Sequence, residues 1–339
     1  MKFTLYSALA ALTTSTLAAP LFTRQANATS SVNGTTSANS TSSGADGPVG
    51  YASLNGGTTG GAGGSETTVT SIDELLAAVE GDEPAIIYID SVLSGSSEKI
   101  RVGSNKSILG RSSKAGIEGA GLFIKEAKNV IVRNLAISKV NTGEKDAIGV
   151  QKSENVWIDH CDLSSDLDHG KDYYDGLADF THGSDYITVS NTKFHDHYKA
   201  SLCGHTDSNA DEDAGKLHVT YANNHWANIN SRMPLVRFGT VHVFNGYYEG
   251  GSMGDSAVNT RMGAQVLVES NAMAGIKDAV VSEYSDEDGY AVVRGNDFGE
   301  GANTAPEGTL TSVPYEYELL GSENVEAAVV GVAGNTLTL

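Results

Sequence analysis

Short runs with apolar residues at alternate positions recur along the chain: Val130-Ile131-Val132, Val156-Trp157-Ile158, Ile187-Thr188-Val189, Leu217-His218-Val219, Val241-His242-Val243 and Val266-Leu267-Val268. Their starts lie about 26, 31, 30, 24 and 25 residues apart, the range in which a repeat means a solenoid. Each is read as preceded by a second strand-like run and a turn, as at Leu122-Phe123-Ile124, Ala147-Ile148-Gly149-Val150, Leu177-Ala178-Asp179-Phe180 and Leu235-Val236-Arg237-Phe238. One repeat therefore holds at least two strands and a corner, with no room for the crossover helix of a βαβ fold. Asn134, Asn224, Asn245, Asn271 and Asn296 come just after the second strand of their repeats. Asparagine tolerates left-handed backbone and bonds locally, so a stack of Asn at a recurrent bend is expected.

Coils of this length, stacked by parallel pairing, make an all-β parallel β-helix with alternate apolar residues inside and longer loops outside. Its open end needs a cover. Residues 71–80 supply one: Ser71 as N-cap, Glu74 three residues on, and Ile72, Leu75, Leu76 and Val79 on one helical face. The Gly-rich segment 56–64 reads as a loop, because no Gly-x-Gly-x-x-Gly opens a helix after a strand.

Three segments are expected. Lys2, the apolar run 5–17 and Ala18-Ala19 before Pro20 read as a secretory signal over 1–19, too short to span a bilayer. Residues 20–47, rich in Ser, Thr and Asn, read as a flexible leader, and 48–339 as the β-helix domain. With 339 residues and 40% hydrophobic content, a single large core is the expectation. Export makes the sequons at Asn27, Asn33, Asn39 and Asn105 usable in a eukaryotic host. The net charge of −20 excludes general attraction to nucleic acid, and no membrane partner is indicated. Cys161 and Cys203 make either two buried thiols or one bridge.

The central repeats carry the candidate chemistry. Asp175 and Asp179 flank Gly176-Leu177-Ala178, and Asp146 opens the corresponding strand one repeat earlier. Stacked coils lie about 4.8 Å apart, so the three carboxylates can converge. A hard cation such as calcium would relieve their repulsion; a solvated acidic loop explains them as well. Arg232 and Arg237 bracket a strand start stiffened by Pro234, and Lys199 ends His195-Asp196-His197-Tyr198-Lys199. Isolated, such residues are more often surface ion-pair members. Beside the carboxylate repeats they become candidates for engaging uronate carboxylates. The histidines of this run and of Asp159-His160 lack any Gly-x-Ser-x-Gly or His-Glu-x-x-His context and read as structural.

Trp157-Ile158-Asp159-His160, the 175–179 segment, His195-Asp196-His197-Tyr198-Lys199 and Arg232-x-Pro-x-x-Arg237-x-Gly stand in the order of the polysaccharide lyase family of pectate and pectin lyases. The resemblance covers about residues 50–298, and Gly50-Tyr51-Ala52 onward resembles the mature start of fungal members. It implies a right-handed parallel β-helix, a secreted monomer and a polygalacturonate or pectin substrate. It further implies calcium held by Asp146, Asp175 and Asp179, Arg232 as base, and Lys199 and Arg237 on substrate. Glu144 stands where some relatives have a further acidic ligand. Pectin lyases lack the acidic cluster and act on methyl esters, so its presence favours de-esterified pectate.

The implied reaction is β-elimination: the base takes the C5 proton beside the uronate carboxylate and the C4 oxygen leaves. Free guanidinium groups lose their proton only above about pH 12, so such a base implies an alkaline optimum. A polygalacturonase-type hydrolase is the nearest rival, but its Asn-Thr-Asp, Asp-Asp and Gly-His-Gly motifs are missing. A noncatalytic binding solenoid explains the fold but not the Lys199, Arg232 and Arg237 set.

Overall fold

A computed structural model describes residues 47–95, 99–141, 146–250 and 256–339. The expected signal and leader segments, with their sequons, and Glu144 lie outside the described residues.

Alternation along the chain becomes three parallel sheets of ten, nine and eight described strands. Each coil contributes one strand to each. The first sheet stacks the repeats seen in sequence, in the register Val130, Val156, Ile187, Val219, Val241 and Val266. These side chains and Val132, Ile158 and Val189 point inward and are buried. One expected start shifts: Val219 takes the equivalent place, while Leu217 sits in a left-handed turn at φ 58°.

The second sheet, which will be called the cleft sheet, includes Leu122–Lys125, Ile148–Gln151, Ala178–Thr181, Ser201–Cys203, Leu235–Arg237 and Ser256–Arg261. The third includes Asp162–Ser164, Lys193–Lys199, His225–Ser231 and Tyr247–Glu249. Its inward positions stack rings from coil to coil: Phe194 lies 4.1 Å from Trp226, nearly parallel to it, and Trp226 lies 5.8 Å from Tyr248. All three are fully buried. Cys161 and Cys203 are buried free thiols, and burial pushes both up to about 12.

The asparagines form two adjacent columns rather than one stack. Asn134, Asn191, Asn223 and Asn245 take the left-handed conformation at the corner between the first and third sheets. Asn224, Asn271 and Asn296 sit in the next column and hydrogen-bond to the coils beside them: Asn271 receives from the Gly246 N–H (2.8 Å) and donates to the Val243 carbonyl (3.1 Å). Asn105, the one described sequon, has its side-chain amide bonded to the Asp82 carbonyl and its oxygen to Asn129.

The helix Ile72–Val79 closes the first coils, burying Ile72, Leu75 and Val79, with Leu76 partly covered. Ser71 caps the Glu74 N–H, and Glu74 reaches back to Thr70. After residue 299 the chain runs back along the solenoid. Tyr315 bonds Thr220 and His242, Val325 and Val329 of the helix Ser322–Val329 cover Tyr247, and Leu337 meets Asn134. None of the candidate site residues lies in this segment.

Candidate active site

The cleft sheet places its outward residues in columns. Gly149, Asp179, Leu202, Leu235 and Asn259 form one; Thr181 follows Gln151, and Arg261 follows Arg237, in the next. Asp146 lies just ahead of Ile148–Gln151, in step with Gly176 rather than with Asp175 or Asp179. The three carboxylates nonetheless line one cleft of about 320 Å³ together with Gln151, Thr181, His182, His205 and Arg232. Glycine makes the space: a Cβ at Gly176 would collide with the Asp179 carboxylate, and one at Gly149 would come within 3.3 Å of Asp146 Oδ2.

Asp179 is the buried member, and its Oδ1 accepts from the Leu202 N–H at 3.1 Å. Burial, then repulsion from Asp146, pushes its carboxyl well above the usual range; Asp175 adds to this and Arg232 opposes it. Asp146 accepts from the Gly176 N–H at 2.9 Å. The position of Asp175 is fixed from both sides. Lys199 Nζ lies 3.0 Å from its Oδ1 and 3.2 Å from Asp172, and His197 Nε2 donates to its backbone carbonyl at 2.7 Å. That donation leaves His197 Nδ1 to accept from the Ser165 hydroxyl, and burial pushes this imidazole down to about 4, so it stays neutral. The histidines of the run are thus hydrogen-bonding struts, with His195 between Asp162 and Asp196 at 2.8 Å each.

Arg232 follows the strand His225–Ser231 in the left-handed conformation, φ 63°, just before a cis Met233-Pro234 bond. Among the described residues its guanidinium makes no hydrogen bond, and its charge faces Asp179. Arg237 stands outside the cleft lining: its Nε is bonded to Asp207 and its Nη1 to the Gly204 carbonyl at 3.1 Å. One coil on, Arg261 is pushed down to about 10 by burial and by repulsion from Arg237 and Arg232, against the pull of Asp207 and Glu283.

Sequence reasoning missed His182 and His205, whose rings stack at 4.2 Å on the cleft wall, as well as Asp207 and Arg261. His182 and His205 occupy matching places one coil apart, since Phe180 pairs with Cys203; strand register would have found them. Among the described residues no group of three His, Cys, Asp or Glu already stands in metal-holding geometry. A larger groove of about 600 Å³ adjoins through His182, but its Lys152 and His182 are both tied to Glu212, leaving a surface of internal pairs.

A parallel β-helix with an open, charged cleft across one sheet defines a solenoid that receives a ligand along its side. The pectate lyase family model matches residues 9–336, and the chain belongs to the pectate lyase family. It is 58% identical to probable pectate lyase A of Aspergillus niger over 86% of this chain and 89% of that protein. It is 58% identical to pectate lyase A of Emericella nidulans over 86% and 88%. Among solved structures it resembles a Bacillus sp. N165 pectate lyase in complex with trigalacturonate: 35% identity, TM-score 0.78, 85% and 98% coverage. Pectate lyase II of Xanthomonas campestris follows at 26% identity, TM-score 0.72, with 85% and 98% coverage. The right-handed fold expected from the sequence is thereby the observed one.

Proposed function

We propose that the chain is a secreted, calcium-dependent pectate lyase that cleaves de-esterified galacturonan by β-elimination, acting as a monomer, with Arg232 removing the C5 proton. The observation that carries this reading is a guanidinium without a hydrogen-bond partner among the described residues, in one cleft with three carboxylates. A hydrolase needs a protonated carboxyl and a second carboxylate acting on opposite sides of a glycosidic bond. Here three carboxylates share one cleft with a guanidinium whose charge faces Asp179, an arrangement that suits a cation and a base.

The donor set fits calcium. Asp146, Asp175 and Asp179 offer oxygen only, and Asp179 is a desolvated acid whose ionisation a divalent cation would favour. Bound there, calcium would withdraw charge from a uronate carboxylate and so acidify the adjacent C5 proton. Lys199 would meet the same carboxylate from the other side, exchanging its contact with Asp172, and Arg237 would anchor a neighbouring unit. Arg232 would take the proton. Secretion is supported by the signal-like 1–19 sequence, and no described helix is long and apolar enough to cross a membrane.

The test follows ultraviolet absorbance during incubation with polygalacturonate, with calcium and then with chelator. Calcium-dependent growth of an unsaturated-product band is expected, and Arg232→Ala should lower it by at least ~10²-fold, as loss of a general base does. New reducing ends without that band would overturn the proposal.

A further inference from the structure

We propose that Tyr284 is a stacking platform for an uncharged, methyl-esterified galacturonate ring at the far end of the cleft; this rests on the lyase reading above. From Asp179 the outward column runs through Leu202, Leu235 and Asn259 to Val281. The loop after Val281 therefore lies four coil spacings, about 19 Å, along the cleft, a distance that several sugar units of a bound polymer would cross.

Tyr284 is 86% exposed in that loop, and its φ of 57° is one that a bulky side chain adopts only when its surroundings force it. The forcing contacts come from the cleft itself. On one side Glu283 exchanges two backbone bonds with the Asn259 amide, 3.2 and 3.4 Å. On the other, Asp207 takes the Asp286 N–H at 3.1 Å and the Ser285 hydroxyl at 3.4 Å while its other oxygen holds Arg237. The loop on both sides of Tyr284 is thus tethered by groups that also fix a candidate substrate-binding arginine, and its ring projects into solvent. Among the described residues no other ring stacks on it and its hydroxyl has no partner. Exposed apolar surface displayed at a conformational cost points to an occupant from outside the fold.

Charge selects the occupant. Glu283, Asp286, Glu287 and Asp288 share the loop with Tyr284, all exposed, and none lies within salt-bridge distance of a basic group among the described residues, although Glu283 feels the charge of Arg261. A free uronate there would meet like charge well inside a screening length of about 8 Å. A methyl ester removes that repulsion and adds a methyl group to the contact. The centre of the cleft, where Arg232 and Lys199 stand, would take the free acid.

The experiment compares kcat/KM on partially methyl-esterified pectin with kcat/KM on polygalacturonate for the wild type, Y284F, Y284G and Y284A. Y284G and Y284A should lower the pectin-to-polygalacturonate ratio about fivefold, while Y284F, which keeps the ring, holds the wild-type ratio. Y284G should show no loss of Tm, because glycine adopts this backbone conformation freely, and so it separates lost stacking from lost structure. An unchanged ratio in Y284G would overturn the platform while leaving the lyase assignment standing. Absence of unsaturated product from the wild type on both polymers would overturn both.

Discussion

Replacing Asp179 by Asn should stabilise the calcium-free protein and at the same time remove most of its response to calcium. Asp179 is buried, and burial together with Asp146 and Asp175 raises its carboxyl; Arg232 and the Leu202 N–H pull the other way. The sign follows from linkage. A carboxyl raised in the folded state makes a contribution to stability that is fully present below its unfolded value and is lost as pH rises from there through the folded value, leaving a destabilising charge in alkaline solution. The charge at Asp179 carries a desolvation cost, an attraction to Arg232 and, larger than that attraction, a like-charge contact with Asp146. At an effective dielectric near 20 and about 5 Å, that contact costs roughly 3 kcal/mol. Roughly 2 °C per kcal/mol for a domain of this size makes the calcium-free gain about 6 °C at alkaline pH. Asparagine keeps the Oδ1 that receives the Leu202 N–H, so no buried donor is orphaned. The wild type in calcium at 100 times Kd should gain about 2.7 kcal/mol, and D179N should gain little. Differential scanning calorimetry in chelator and in calcium reads both effects without any assay of activity. A D179N protein that keeps the full calcium shift would remove Asp179 from the metal site, and one less stable than wild type in chelator would refute the charge reasoning.

Three further outcomes follow from the solenoid. Phe194→Ala opens the inner ring column beside Trp226 and should cost about 3–5 kcal/mol in chemical denaturation. Asn271→Ala strips partners from the buried Gly246 N–H and the Val243 carbonyl and should cost about 1–3 kcal/mol by the same measurement, with the activity of the surviving folded fraction unchanged. Asp159 is a third case: burial alone would raise its carboxyl, but hydrogen bonds from His160, Asn191 and Ser190 hold it below the usual range. Its stabilisation is complete above the unfolded value and lost as pH falls through the folded one, so the wild-type Tm should drop below about pH 4 and D159N should show a flatter acid limb.

The coil was legible because a strand with one face on the core writes its period into the sequence. Val130 to Val132 and Val266 to Val268 are inward pairs of that kind, and they mark the first sheet almost to the residue. Third-sheet strands such as Asp162–Ser164 and Tyr247–Glu249 are three residues long, too short to show a period, and passed unseen. Register was the harder quantity. Excursions at 165–177 and 204–217 change the coil length, so Leu217 was aligned where Val219 belongs and the asparagines merged into one column. The same slip hid the His182 and His205 pair, whose partnership exists only once Phe180 is set beside Cys203. Residue types announced the carboxylates and cations of the candidate site. Nothing local announced which cation would be tethered and which would be bare, because that depends on Asp207 and Asp172, each brought to its partner from a loop.

That difference bears on how a chain of net charge −20 would hold a polyanion. Lys199 bridges Asp172, which is 77% exposed, and Asp175, which is about half exposed; such solvated bridges contribute about 0–1 kcal/mol each and are readily exchanged. Arg237 is different: its side chain is 12% exposed, its Nε is on Asp207, and Asp207 is itself fixed by the Asp286 N–H. An incoming uronate would thus take Lys199 from its aspartates but meet Arg237 as a fixed post presenting its remaining donors. If calcium engages Asp175, it also frees Lys199 by competing for the same oxygen. Metal and substrate would then bind with mutual reinforcement, since each removes a partner that restrains the other. The cleft's acidity, which repels the substrate at long range, is in this view what keeps its cations stored until both ligands arrive.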